Sequence, residues 1–308
     1  TGVVFFGLVH YLGPASLQFL RYIFIILTIY IVYAVAIQRG SKPSCAIIIL
    51  FPAILLISFG YFPVRAQIFT FFFFILTLYI LESVKKIGDV KILRWLPLIQ
   101  ILWCNFHGGF VAGLGLIFLY ALGEKLAGRK IAFSYLIWGI VASLATLINP
   151  YGINYWIYTF QAVTMPRPEI TEWYSILTAL KLHAHIFPVI LFLIMVSITL
   201  LLFFVRPKKD FTDLFVIAAV IYLGSAHIRH NILFGLIFGA YAPLYLSEYV
   251  RENKNIIFKR LVGFFILIIS LVPMMAYFYL HPVRQISSIP TFKLFVSARA
   301  PTDRDVIL

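Results

Sequence analysis

Charge is scarce in this chain of 308 residues, where Asp, Glu, Lys and Arg together make up 12%. A soluble domain carries about 25%. Carboxylates are rarer still, 11 against 25 Lys and Arg. Only two cysteines occur, Cys45 and Cys104, each inside an apolar run and far apart, so nothing suggests a disulfide framework. There is no GxxxxGK[ST], no GxSxG and no CxxC, which removes support for P-loop ATPase, serine-hydrolase and thiol-redox chemistry. The chain opens on Thr1 with no signal peptide ahead of its first apolar run, and the expectation is a fragment lacking its natural N-terminus.

What is present is apolar: 62% of residues are hydrophobic and the mean hydropathy is +0.99. No soluble core of this size could hide so much apolar surface, so an integral membrane protein is expected, with membrane lipids as partners. A net charge of +14 is also what a nucleic-acid reader carries. Nucleic-acid readers, however, cluster their charge on one solvated face. Here Lys and Arg fall in short loops between apolar runs, which is the signature of membrane topology.

A membrane helix needs about 20 apolar residues. Candidates are 20–37, 45–61, 67–82, 132–148, 186–205, 231–248 and 261–280, with 214–226 short for a span. The stretch 95–123 is either one long helix or a hairpin broken near WCNFHGGFV, residues 103–111. Basic residues collect in cytoplasmic loops. Sixteen of the 25 lie in five loops: Arg39 and Lys42; Lys85, Lys86, Lys91 and Arg94; Lys125, Arg129 and Lys130; Arg206, Lys208 and Lys209; Arg251, Lys254, Lys259 and Arg260. Only the hairpin puts all five loops on one side. The expected fold is therefore all-α, a polytopic bundle of about ten spans. Residues 1–280 form the membrane domain, and 281–308 begin an extracytoplasmic tail. All seven histidines then fall on the outer side.

Half-spans 95–106 and 109–123 reach about 18–22 Å, against a hydrocarbon core about 30 Å thick. Segment 214–226 has the same shortfall and leads into HIRHN, residues 227–231. Irregular backbone at membrane depth is tolerated only against protein or a water-filled cavity, so an outer-leaflet crater is expected. Asn105, His107, His227, Arg229 and His230 would lie near its floor. Gly108-Gly109 has two readings: a tight turn with His107 capping a helix end, or part of a site. Ionisable residues at membrane depth are functional by default, which favours the site.

Arg65 in FPVRAQIFTF is either an interfacial anchor or a phosphate-holding fork. The longest internal outer segment, 149–185, opens on the turn signal NPYG. Tyr155, Trp156 and Tyr158 follow in an expected interfacial helix. Glu169 and Glu172, three apart, would share a face if helical. They are solvated loop acids, or a general base or a hold for a divalent cation. His183 and His185 alternate as in an extended segment, with no third ligand in view, so no metal site is expected.

Five motifs in order, over about 65–250, resemble the GT-C superfamily of polytopic glycosyltransferases. More narrowly, they resemble uncharacterised bacterial membrane proteins similar to dolichyl-phosphate-mannose protein mannosyltransferases. The motifs are Arg65-Ala66-Gln67, Trp103 to Gly109, Asn149 to Gly152, Glu172-Trp173 and Arg229-His230. Ala66 stands where that group usually has proline. The resemblance implies transfer of a sugar from a polyprenyl-phosphate carrier on the extracytoplasmic side of a bacterial cytoplasmic membrane. It also places the principal catalytic carboxylate in a loop ahead of Thr1. Glu172, His107 and Glu169 are then the candidate catalytic groups. Arg65, Gln67, Asn105, Asn149, Trp173, Arg229 and His230 are the candidate substrate-binding groups. The competing reading is a transporter or flippase for a polyprenyl-linked or anionic lipid. It is disfavoured because alternating access needs polar residues on both sides of the midplane, and none are expected in the inner half.

Overall fold

The structure, a computed structural model, describes residues 1–252 apart from Pro63, Pro168 and Pro207, and its regular elements are all helical. The expected span 261–280 and the tail 281–308 lie outside the described residues. In chain order the helices are α1 (Gly2–Leu12), α2 (Ala15–Gln38), α3 (Pro43–Tyr61), α4 (Gln67–Ile87), α5 (Trp95–Phe106) and α6 (Phe110–Leu126). There follow α7 (Ile131–Ala145), α8 (Ile153–Thr164), α9 (Ile176–Lys181), α10 (Ile186–Val205), α11 (Phe211–Ala226) and α12 (Asn231–Glu252).

Five of these segments are long and apolar enough to cross a membrane: α2, α3, α4, α10 and α12 with the turn before it. The chain is a membrane protein on that ground. The remaining expected spans among the described residues form shorter helices. At 1.5 Å per residue, α5 (12 residues), α7 (15) and α11 (16) reach only about 18–24 Å.

Local chemistry sets many of the boundaries. Pro43 occupies the first turn of α3, where its missing N–H costs nothing. Gly88, at φ 82°, closes α4 after Lys85 and Lys86. Asp210 caps α11 by accepting from the N–H of Thr212 at 2.8 Å.

Helix α12 is the centre, buried on nearly all sides and packed against α2, α3, α10 and α11. Without a hydrophobic drive between helices in lipid, close approach matters most, and small residues supply it. A Cβ on Gly239 would sit 2.7 Å from Val32, and one on Gly60 would sit 2.6 Å from Ile232. Helix α2 instead exposes Phe19, Ile23, Ile26 and Tyr30 outward.

The helix ends sort into two groups. The C-terminal ends of α2, α4, α6, α10 and α12 meet the N-terminal ends of α3, α7 and α11. Arg39 pairs with both Glu82 and Asp213, and Lys85 with Glu124 (3.0 Å) and Asp210 (2.9 Å). Arg129 pairs with Glu124 (2.9 Å), and Arg206 with Asp213 and Glu248 (3.0 Å each). The Lys42 N–H donates to Ser247 Oγ. The loops that carry the basic residues thus gather at one end, as the hairpin reading requires.

One expectation is overturned. The half that carries the basic loops was expected to lack polar groups, yet the side chains of Arg39, Glu82, Asp213 and Glu124 lie there at most 6% exposed. Tyr120 donates to Glu82, Tyr245 donates to Asp213 at 2.8 Å, and the Arg39 guanidinium lies 3.8 Å from the Tyr241 ring centre. Polar groups are therefore buried in the half of the bundle where none were expected.

Candidate functional site

At the opposite end, α5 stops at Phe106 and His107 takes extended backbone, φ −158° and ψ 142°. Helix α6 starts two glycines later, so the break in 95–123 falls at the motif. Gly109 is required by packing rather than by its dihedrals: a Cβ there would lie 2.4 Å from Thr70 Oγ1. The indole N–H of Trp103 donates to Thr70 Oγ1 at 3.0 Å. That leaves the Thr70 hydroxyl to donate to His107 Nδ1 at 2.7 Å, while the Gly109 N–H reaches the same nitrogen at 3.0 Å. With donors on both sides, Nδ1 is an acceptor and the proton of the neutral ring sits on Nε2. His107 does cap the entry to α6, as the structural reading of the motif required. The same bonds also fix its free N–H in direction.

Around this break the structure gathers residues distant in sequence. Arg65, just before α4, donates through Nη1 to both carboxylate oxygens of Glu172 at 2.8 Å. Glu172 lies in a 3-10 turn, Thr171–Trp173. The Trp173 ring receives two guanidiniums, Arg167 at 4.1 Å and Arg229 at 4.6 Å from its centre. Gln67 turns its amide oxygen to Arg229 and accepts from Nε at 3.2 Å and Nη2 at 2.6 Å. His227 Nδ1–H donates to the Trp173 carbonyl at 2.8 Å, and the Ile228 N–H donates to the Tyr174 carbonyl at 3.0 Å. Those two bonds tie the 171–174 turn to the chain entering α12. His230 sits edge-on to both Trp173 and His227, its Nδ1 buried without a protein partner.

Six of the ten candidates, Arg65, Gln67, Glu172, Trp173, Arg229 and His230, are joined by these contacts, and His107 lies close enough for the Arg229 charge to bear on it. Three take no part in this neighbourhood. Asn105 ties helix ends together, donating to the carbonyls of Ile101 (2.8 Å) and Ile148 (2.9 Å). Asn149 builds the NPYG turn by donating to the Thr146 carbonyl at 2.7 Å and accepting from the Tyr151 N–H at 2.8 Å. Glu169 is exposed, and the segment it shares with Glu172 is a turn followed by a 3-10 helix, so the two carboxylates do not line an α-helical face.

Two residues were missed. Thr70 is hidden in an apolar run, and Arg167 sits between prolines in the loop, with no spacing signal to pair it with Trp173. The α8 helix does form where the aromatics predicted it, with Tyr155 stacked on Phe110, 5.6 Å between ring centres. His183 and His185 both have positive φ rather than extended backbone, and His185 Nε2 lies 3.0 Å from Thr171 Oγ1. Among the described residues no group of three His, Cys, Asp or Glu could hold a metal ion.

The cluster therefore holds three guanidiniums against one carboxylate, with an aromatic platform and oriented imidazoles beside them. It is suited to an anion that can form several charge-assisted hydrogen bonds. A scan against protein-family models and searches of curated proteins and of solved structures find no match.

Proposed function

We propose that the chain is the membrane domain of a glycosyltransferase of GT-C type. It would transfer a sugar from a polyprenyl-phosphate or -diphosphate carrier to an acceptor on the extracytoplasmic face of a bacterial cytoplasmic membrane. The observation that supports this reading best is the arginine cluster of Arg65, Arg167 and Arg229 around Glu172 and Trp173, at the end of the bundle away from the basic loops. The reading keeps about ten spans, with short α5, α7 and α11 stopping below the outer surface to leave a polar crater.

In this mechanism an acceptor hydroxyl attacks the anomeric carbon. A new C–O bond forms, the bond to the carrier's phosphate oxygen breaks, and the acceptor proton passes to a carboxylate. Arg65 and Arg229 meet the charge that grows on the departing phosphate, where preorganised donors act most strongly. The His107 Nε2–H donates a hydrogen bond without needing to titrate. Glu172 is held by Arg65 when no anion is bound. A phosphate that takes over Arg65 releases Glu172 toward the acceptor.

The test uses the full-length protein in lipid with radiolabelled polyprenyl-phosphate sugars, measuring release of carrier. Arg229→Gln should cut release at least tenfold, and transfer that survives it intact removes the arginine's role. A second reading, a flippase for a polyprenyl-linked or anionic lipid, gains from the buried charges at the basic end, because polar groups then lie in both halves of the bundle. Lipid movement across the bilayer with no covalent product would favour it.

A further inference from the structure

A separate recess of about 450 Å³ opens where α6 meets α7, near the basic end and away from the arginine cluster. Its geometry starts with the turn between the two helices. Gly128, at φ 71°, allows the chain to reverse, with its N–H donating to the Lys125 carbonyl at 3.0 Å and the Arg129 N–H to the Glu124 carbonyl at 2.9 Å. This tight turn brings Lys125, Arg129 and Lys130 to one mouth of the recess. Arg129 is steadied from within by Glu124, a fully buried carboxylate, at 2.9 Å and by Asp210 at 3.5 Å, yet its side chain stays 48% exposed. No carboxylate lines the recess itself.

The walls are apolar and face outward. Phe118 and Leu122 from α6, and Phe133 and Leu136 from α7, are all exposed, over a floor of the small residues Ala121 and Ala132. On α6 the spacing 118, 122, 125 runs the wall directly up to Lys125, and on the other side Phe133 and Leu136 of α7 follow shortly after Arg129 and Lys130 in the turn. Deeper along the pair the groove closes, since a Cβ on Gly139 would meet Ile117 at 3.1 Å and Phe118 at 3.3 Å.

We infer that the α6–α7 recess binds one anionic phospholipid, its phosphate on Lys125, Arg129 and Lys130 and its acyl chains along Phe118, Leu122, Phe133 and Leu136. A zwitterionic lipid would satisfy the walls but carry its own cation to a mouth that already has three. A free anion would satisfy the mouth and leave the walls empty. Only a ligand that is acidic at one end and aliphatic at the other complements both. The site is independent of any sugar transfer, since none of its residues belongs to the arginine cluster.

The test is native mass spectrometry of the full chain released from nanodiscs that contain equal phosphatidylglycerol and phosphatidylcholine. Wild type should retain one phosphatidylglycerol. Lys125→Gln with Lys130→Gln, two exposed side chains, should lower that preference by about twenty-five-fold, taking each cation near an anionic lipid surface as about fivefold. Phe133→Ser, also exposed, should lower retention of the lipid while leaving the protein folded. Equal retention of both lipids by wild type, or an unchanged preference in the double lysine variant, overturns the assignment. So does complete displacement by inorganic phosphate, which would make the mouth a free-anion site.

Discussion

Thr70 orders more of the site than its size suggests. It accepts from the Trp103 N–H and donates its own O–H to His107 Nδ1, so one hydroxyl fixes a buried indole and the tautomer of an imidazole. Thr70→Val keeps the shape but leaves the Trp103 donor unsatisfied, at a cost of about 1–3 kcal/mol. Thermal unfolding in detergent should show it, and Thr70→Ser should recover most of the loss. The Arg65–Glu172 pair is a different case. With the two side chains 52% and 32% exposed, solvent screens it and its worth to stability is about 0.2–1 kcal/mol. Glu172→Gln should thus leave the melting temperature nearly unchanged, and any large loss of carrier release in that variant is a functional effect.

Asp210 supplies a pH signature at the other end. Burial opposes its ionisation, but Lys85 at 2.9 Å, the Asp213 N–H and Arg129 outweigh that, and the carboxyl is held down at about 2 from an ordinary 3.8. A depressed carboxylate stabilises the fold above its unfolded value, and the gain disappears as pH falls through the folded value. About 2 kcal/mol should therefore be lost between pH about 4 and about 2. Asp210→Asn should flatten the stability profile in that window; an unchanged profile would show that Asp210 is not held down by its partners.

Among the helices, glycine seams decide what can approach. A Cβ on Gly123 would lie 2.4 Å from Thr212 Oγ1 and 2.5–2.6 Å from Thr212 backbone atoms, so α6 and α11 cross almost backbone to backbone. Backbone cannot rotate away as a side chain can. Gly123→Ala should cost about 1–3 kcal/mol by overpacking, whereas Gly115→Ala, which meets nothing within 4 Å, should be neutral or better. A comparison of the two by detergent melting isolates the seam from helix propensity. Apolar run lengths foretold most of these helices to within a few residues, and the aromatic trio at 155–158 marked α8. The run 132–148 overreached, because residues 146–148 leave the helix to meet the NPYG turn, where Thr146 accepts from the Trp156 indole at 2.8 Å. Helix α1 was not foreseen as a separate element; Gly13, at φ 80°, and Pro14 end it before α2 begins.

Taken whole, the molecule has two polar ends joined by an apolar middle. The basic end is locked by five carboxylates, Glu82, Glu124, Asp210, Asp213 and Glu248, shared among Arg39, Lys85, Arg129 and Arg206. Arg39→Met leaves Glu82 and Asp213 buried without their shared cation and should destabilise by about 3–5 kcal/mol. Adding Glu82→Gln should return part of that loss, since it removes the carboxylate left without its ion-pair partner, whereas Asp213 still has Arg206 at 3.0 Å. A double variant no more stable than Arg39→Met would mean that the network holds the helices by shape rather than charge.

Composition and run length by themselves determined that this is an all-helical membrane protein. The placement of basic loops determined which way 95–123 had to break. The same sequence singled out Arg65, His107, Glu172, Trp173 and Arg229, because polar residues in an apolar chain stand out one by one. What it could not show was partnership. Arg65 and Glu172 are 107 positions apart, Arg39 and Asp213 are 174 apart, and Arg167 and Thr70 carry no local mark at all. Which loop charges are solvated and which are buried in pairs was decided only when α2, α4, α6, α10, α11 and α12 brought their ends together. A charge in a short loop has the same sequence signature in either environment, and its cost or benefit is set by the partners that packing places beside it.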